Sequence, residues 1–291
     1  MVVQEAQVIL LQVQDNMNKK LLIAIIIITI LLITLLIYLI NNKKDKYDLK
    51  IYFFNAGKAD AILISKNNHY IMIDTGEEKS SKEILNYFKN NNITKLDSLI
   101  ITHFDKDHVG SASQIIDNIE IDKVLQSNVP KESTYYDNYL SSLNNKNISP
   151  ITVEDTYQIE LDDISIDVSG PNKIYEKNDS NNSSLITSFT YKNNSFLFTG
   201  DIENDRIKDY IQENSNQYDF IKIPYHGKYL KRLDNLLDNT KPKYGVMTCS
   251  NKEGCEEETK EVLNNYNIKY YSTNNGSITV LSNGNKIVIK Q

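Results

Sequence analysis

The stretch "THFDKDH", Thr102 to His108, places two of the chain's four histidines and two aspartates within six consecutive positions. His103, Asp105, Asp107 and His108 mix imidazole and carboxylate donors, the composition of a metal site that can hold water as a nucleophile. A polar helix-capping loop would account for the aspartates, since Asp is common there, but not for the two imidazoles framing them. Two later stretches repeat the pattern. "SFLFTGD" ends in Gly200 and Asp201, and "FIKIPYHG" ends in His226 and Gly227. Each closes an apolar run with one metal-capable side chain beside a glycine, the residue that best tolerates a sharp change of direction.

These residues need elements to hold them. "LKIYFF", "DAILIS" and "HYIMID" read as successive strands with turns at Asn55 to Lys58 and Lys66 to Asn68. "SKEILNYFKNNN" reads as an amphipathic helix with Ile84, Leu85 and Phe88 on one face, and "LDSLIIT" as a buried strand. On this reading "HFDKDH" is the loop at the end of that strand and "VGSASQIIDN" opens a helix, whose N–H groups would favour an anionic substrate. A strand-rich middle section runs from "ITVEDTYQIELDDISIDVSGP" to "SFLFTGD". Helices alternate with strands thereafter, through "IENDRIKDYIQEN", a helix around Leu230 to Leu237, "KYGVMT", "EETKEVLNNY", "IKYYS", "SITVLS" and "NKIVIK". Strand-rich halves that each carry helices predict two sheets face to face with helices outside, a four-layer αββα sandwich of the α/β class.

Ahead of this domain, "LLIAIIIITILLITLLIYLI", residues 21–40, contains no charge. Twenty helical residues rise roughly 30 Å, the thickness of the hydrocarbon layer. The division expected is a tail over 1–20, a transmembrane helix over 21–40, a polar linker over 41–48 and a hydrolase domain over 49–291. No small-residue cleavage pattern follows the span, which favours retention as a single-pass anchor in the cell membrane. Lys19 and Lys20 precede it while Lys43, Lys44 and Lys46 follow it. Their count favours a cytoplasmic domain, whereas "MNKKLL" from Met17 has the form of a basic signal-anchor start and favours an extracytoplasmic one.

The site motifs resemble those of the metallo-β-lactamase-fold hydrolase superfamily, and within it the hydrolase domain of ComEC-type competence proteins and its free-standing relatives. The residues that carry the resemblance are "FFNAGKADAILI", "IDTG", "THFDKDHVGS", "NNSSLI", "FTGD" and "IPYHG". The resemblance implies that Asp107, His108 and His226 hold one metal and that Asp201 bridges to a second, with Asp107 and Asp201 at the catalytic centre. His103 and Asp105 match the second site, Asp105 standing where many members have histidine. The region of that site's third histidine reads "NDSNNSSL", where Asn181, Asn182, Ser183 or Ser184 would contribute oxygen or hold a water. Fewer imidazoles and more oxygens leave one or two ions, zinc or manganese, open. Asp60 matches a residue that orients a ligand from behind; a strand-start carboxylate is the plainer reading.

Phosphodiester hydrolysis suits such a centre, so the substrate expected is a small-molecule or nucleic-acid phosphodiester. Lys222, Lys228, Lys231 and Arg232 surround His226 in sequence and either contact phosphates or form a solvated face. A net charge of −6 excludes indiscriminate gripping of duplex nucleic acid outside a local groove. Hydrolysis of another ester, thioester or amide bond, or a non-catalytic metal-stabilised binding module on the membrane, are the alternatives. Cys249 and Cys255, in "CSNKEGC", are either a small-loop disulfide or two separate thiols.

Overall fold

A computed structural model of the chain describes residues 2–41, 47–171, 173–175 and 179–291. It divides into two units, Met1–Lys46 and Tyr47–Gln291. In the first, helix α1 (Val2–Asn41) is continuous through the expected junction of tail and span. Its stretch Met17–Leu36 has a mean hydropathy of 2.6 and none of it is buried, so it is long and apolar enough to cross a membrane. Most of the expected linker, residues 42–46, lies outside the described residues.

The second unit begins with β1 (Leu49–Phe53), β2 (Ala61–Lys66) and β3 (His69–Thr75), then α2 (Ser81–Asn90), β4 (Lys95–Leu96) and β5 (Ser98–Ile101). Two short helices, α3 (Lys106–Val109) and α4 (Ala112–Asn118), lead to β6 (Glu120–Ile121), β7 (Val124–Gln126), α5 (Thr134–Asn145) and β8 (Ile151–Thr152). The meander β9 (Thr156–Leu161), β10 (Ile164–Ser169), β11 (Ile186–Tyr191) and β12 (Asn194–Phe198) follows. Then come α6 (Asn204–Glu213), β13 (Phe220–Lys222), α7 (Leu233–Thr240), β14 (Tyr244–Met247), α8 (Glu257–Asn265), β15 (Lys269–Ser272), β16 (Ile278–Ser282) and β17 (Ile287–Lys290).

Among the described residues one sheet has the order β17-β16-β1-β2-β3-β5-β7-β8 and the other β15-β14-β13-β12-β11-β10-β9; β4 and β6 make a small separate pair. Side-chain alternation assigns the layers. Leu49, Ile51 and Phe53 of β1 face the other sheet and join Phe189, Phe196, Phe198 and Phe220 in the central core. On β5, Ile100 faces that core while Leu99 and Ile101 face Ile84, Phe88, Ile115 and Tyr139 of the helices outside. The second sheet turns Leu197, Ile221 and Met247 outward onto Ile207, Leu236 and Leu263 of α6, α7 and α8. The result is the expected αββα sandwich.

The helix expected after His108 is two helices, and the first already contains Asp107 and His108. The break has a cause: the Ser111 hydroxyl donates to Glu77 O at 2.5 Å and its N–H to Gly76 O at 3.3 Å, tying the chain to the loop after β3. Gly110 permits this approach, since a Cβ there would stand 2.8 Å from Gly76 O. No long helix therefore aims a dipole at this point. The helix near residue 230 begins later than expected, at Leu233.

Phe198 packs between the sheets with ring centroids 6.3 Å from Phe53 and 6.0 Å from Phe220. Phe198→Ala is expected to destabilise the unit by about 3–5 kcal/mol; urea unfolding of the full chain in detergent, followed by sheet ellipticity, measures it.

Candidate metal centre

The parallel strands of both sheets run toward one end, and the chemistry-bearing residues lie there. Asp74 closes β3, His103 to His108 follow β5, Asp201 follows β12, His226 follows β13, Thr248 follows β14, and Asp60 immediately precedes β2. Such ends are where α/β folds build ligand sites.

His108 and His226 are fully buried and face each other, Nε2 to Nε2, at 3.4 Å. Asp201 Oδ2 is 3.3 Å from His108 Nε2 and 2.8 Å from His226 Nε2, and Asp107 Oδ2 is 3.3 Å from His226 Nε2. The other ring nitrogen of each histidine is held from behind. His108 Nδ1 is 2.7 Å from Asp74 Oδ2, and His226 Nδ1 is 3.0 Å from Thr248 Oγ1 and 3.3 Å from Asp60 Oδ1. With Nδ1–H donating to these oxygens, both Nε2 atoms present lone pairs to one another and to two carboxylates. Such an arrangement calls for protons or a cation between them.

The charges around the two rings act in the same direction. Burial holds the His226 imidazole down, but Asp201 and the hydrogen bonds to Asp107, Asp201 and Asp60 push its pKa up to about 10. Burial likewise opposes the charge on His108, and Asp201 and Asp74 lift it well above its ordinary value. Burial disfavours the Asp201 carboxylate, yet His226, His108 and Lys222 drive its pKa well below the usual range. A divalent cation could replace the imidazole protons, because it accepts the same lone pairs.

Asp60, His108, Asp201 and His226 offer ligand atoms all within 4.8 Å of one another. Both Asp60 oxygens are nevertheless engaged elsewhere: Oδ2 pairs with Lys222 Nζ at 2.5 Å, and Oδ1 accepts from Thr248 Oγ1 at 2.5 Å. Asp60 therefore orients His226 from behind, and Asp107 is the carboxylate that meets the Nε2 side of that ring. The set able to face one ion is His108, His226, Asp107 and Asp201, two imidazoles and two carboxylates.

The other expected ligands sit differently. His103 is fully buried, with Nδ1 3.1 Å from Thr102 Oγ1 and 3.2 Å from Ser184 Oγ, while its Nε2 has no hydrogen-bond partner among the described residues. Burial, and His108 beside it, press its pKa down to about 4, so the ring is neutral. Asp105 accepts at Oδ1 from Lys131 Nζ and Ser180 Oγ, each at 2.5 Å. Of the four residues expected in the "NNSS" segment only Ser184 reaches the site, where its hydroxyl also accepts from Asp201 N–H at 3.1 Å. Asn181 donates to Glu203 at 2.7 Å, and Asn182 accepts from the backbone N–H groups of Glu203 and Arg206, anchoring the start of α6. Ser183 donates to Ser180 O at 2.5 Å.

Lys222 neither contacts solvent nor belongs to a solvated face. It is fully buried, its ammonium donating to Gly200 O at 2.9 Å and to Asp201 Oδ1 at 3.2 Å besides its pairing with Asp60. Lys228 is exposed, its ammonium 4.7 Å from the Tyr225 ring centroid. Sequence reading left out Asp74, Lys222 as a partner of Asp201, Thr248 and Lys131. "IDTG" carried a signal for the first, but its bond to His108 is a tertiary contact.

The backbone is bent to this purpose. Asp74, Tyr225 and His226 have φ of 53°, 50° and 54°, in the left-handed region that side chains rarely adopt. Gly200 is left-handed as well, at φ 55°, and a Cβ on it would stand 2.8 Å from Ser184 Cβ.

A model of the metallo-beta-lactamase superfamily matches residues 55–250, from the β1–β2 connection to the loop just after β14. The chain belongs to this superfamily. It is 20% identical over 236 residues to ComE operon protein 3 of Bacillus subtilis, covering 74% of this chain and 30% of that protein. It is 26% identical over 204 residues to Recombination protein 2 of Haemophilus influenzae, covering 67% of this chain and 23% of that protein. The chain thus matches less than a third of the length of either relative. Among solved structures it is similar to the metallo-beta-lactamase fold protein YhfI from Bacillus subtilis, with a TM-score of 0.55 at 9% identity over 84% of this chain and 100% of that one. The fold and the ComEC-type kinship expected from the motifs both hold.

Asp74→Asn keeps the shape but removes the carboxylate that orients His108. Zinc or manganese affinity, measured by calorimetry on the full chain in detergent, is expected to fall by about 10- to 100-fold with the fold unchanged.

Proposed function

We propose that this protein is a membrane-anchored, metal-dependent phosphodiesterase or nuclease, with its hydrolase unit outside the cytoplasm. The observation that carries the reading is the convergence of His108 Nε2, His226 Nε2 and Asp201 Oδ2 within 3.4 Å of one another, fed from two different sheets. A divalent ion held there, zinc or manganese, would lower the pKa of a bound water and offset the charge that develops on a phosphoryl oxygen.

The chain's own residues supply the rest. Asp74 and Asp60 fix the two imidazoles in the tautomer that leaves Nε2 available. Lys222 keeps Asp201 and Asp60 ionised by pairing with both. Asp107, the most exposed of the four proposed ligands, lies on the open side, where an attacking water would be held. Lys58 and Lys228 flank Tyr225 at 5.9 and 4.7 Å from its ring centroid, offering positive charge and an aromatic face beside His226. Kinship with ComE operon protein 3 and Recombination protein 2 adds weight to a nucleic acid as the polymer whose phosphodiester is cut.

The anchor reading rests on Met17–Leu36. The outward orientation is supported by the bond between Cys249 and Cys255, whose Cα atoms are 5.4 Å apart, because disulfides persist in oxidising compartments.

Two experiments decide. The full chain in detergent, given manganese or zinc, is expected to hydrolyse bis(p-nitrophenyl) phosphate, with Asp201→Ala and chelator-treated protein at the uncatalysed background. Activity that survives Asp201→Ala would refute the mechanism, and turnover confined to a thioester or lactone would move the substrate class. In intact cells, Cys249 and Cys255 are expected to react with a membrane-impermeant maleimide only after a reductant is added; protection until the cells are lysed would place the domain inside.

A further inference from the structure

The two halves of the site differ in a way the ligand pattern alone conceals. On the His108 half the protein's own cation, Lys222, binds Asp201 at Oδ1 and leaves Oδ2 to the two imidazoles. On the His103 half, Asp105 already has one: Lys131 Nζ stands 2.5 Å from Asp105 Oδ1, and Ser180 Oγ donates to the same oxygen at 2.5 Å. Lys131 Nζ also reaches Ser180 Oγ at 3.4 Å, so ammonium, hydroxyl and carboxylate close a triangle. The nearest imidazole nitrogen, His103 Nε2, is 3.8 Å from that Asp105 oxygen and meets no partner among the described residues. Three separate segments build this half: the loop after β5, the loop between β7 and α5, and the turn before β11.

A divalent ion beside His103 Nε2 would meet Asp105 at Oδ1, the oxygen that faces that ring, and the Lys131 ammonium and Ser180 hydroxyl already hold it. The remaining donors there are His103 Nε2 and the shared Asp201, too few to displace it. Thr102 Oγ1 spends its proton on Asp74 Oδ2 and so accepts from His103 Nδ1–H at 3.1 Å, which leaves the Nε2 lone pair facing Asp105 Oδ1 at 3.8 Å.

We infer that this site takes a single divalent ion, with the Lys131 ammonium standing in for a second one. The inference rests on the metal reading of the His108 half. Under it Lys131 is a substrate-binding donor for a phosphoryl oxygen. Lys131 is 38% exposed at its side chain and Asp105 26%, on the accessible side of the site with Asp107 at 22%, while the imidazoles of His103, His108 and His226 form its buried floor.

The test counts ions. The full chain in detergent is stripped with chelator and dialysed against manganese, or in a second series against zinc. Bound metal per chain is then read by elemental analysis, with calorimetry for the number of binding events. The wild type is expected to hold one equivalent, His103→Ala one, Lys131→Arg one, and Lys131→Ala two, because Asp105 and His103 are then free to hold a second. Lys131→Gln, close to lysine in length, repeats the last arm in case the alanine variant does not fold. Two equivalents in the wild type overturn the inference, as do a loss of the single ion in His103→Ala and a count that stays at one in the folded alanine and glutamine variants. No metal in the wild type overturns the metal reading itself, a separate result.

Discussion

Two imidazole nitrogens held 3.4 Å apart in the interior, both against the same carboxylate, are the constraint around which this fold is organised. Asp60, Asp74, Asp201 and Lys222 are each buried to within 2% of complete. Removing charges from water costs several kcal/mol per ion, and this is recovered only if each keeps its partners; breaking one buried pair costs about 3–5 kcal/mol. Lys222 is the keystone, since one ammonium serves Asp60, Asp201 and the Gly200 carbonyl. The arrangement makes a rigid, electrostatically primed end to the sandwich rather than a loose cleft lined with acids.

Holding those groups requires both sheets. His103, Asp107 and His108 come from the loop after β5, in the first sheet, while Asp201, His226 and Thr248 follow strands of the second. The phenylalanine-rich layer between the sheets sets the spacing of the two loop clusters, so packing far from the site determines its distances. Left-handed residues then give the final aim. Asp74, Tyr225 and His226 depart from ordinary backbone at a cost of about 1–3 kcal/mol each, which the surrounding hydrogen bonds over-determine. The bonded Cys249 and Cys255 close the loop beside Thr248, and Glu256 N–H, one residue on, donates to Gly227 O at 3.2 Å. The segment carrying Thr248 is thereby tied to the turn carrying His226.

Much of this was legible from residue pattern, for physical reasons. Alternation in "LKIYF" and unbroken apolarity in "SLII" report strands covered on one face or on both. The histidines and aspartates stood out because each follows such a run, where a polar side chain is otherwise expected to turn away. His69, the one histidine outside these motifs, is half-exposed at the start of β3 and pairs with Asp97 at 3.0 Å. What was not legible depends on long-range contact. The helix Thr134–Asn145 is rich in Tyr and Asn and low in helix formers, and it is held by Tyr139 and Leu143 against the first sheet. The "NNSS" segment looked like a source of ligand oxygens, yet Asn182 is claimed by the start of α6. Lys222 was grouped with surface bases, although strand period two puts it on the same face as Phe220, toward the interior. That alternation was available in "FIKIP", and it separates a structural cation from a substrate-facing one.

The first sheet has its β1 strand flanked on one side by β2, its neighbour in sequence, and on the other by β16, from near the far end of the chain. A ribosome delivers the chain from its N-terminal side, so the β1 edge emerges with its hydrogen-bonding groups bare and stays so until β16 has been made. Closure of the sandwich is therefore a late event, and a nascent chain stalled before β16 exposes a ready template for pairing with a neighbour. Timely arrival of β16 is thereby a condition for escaping aggregation.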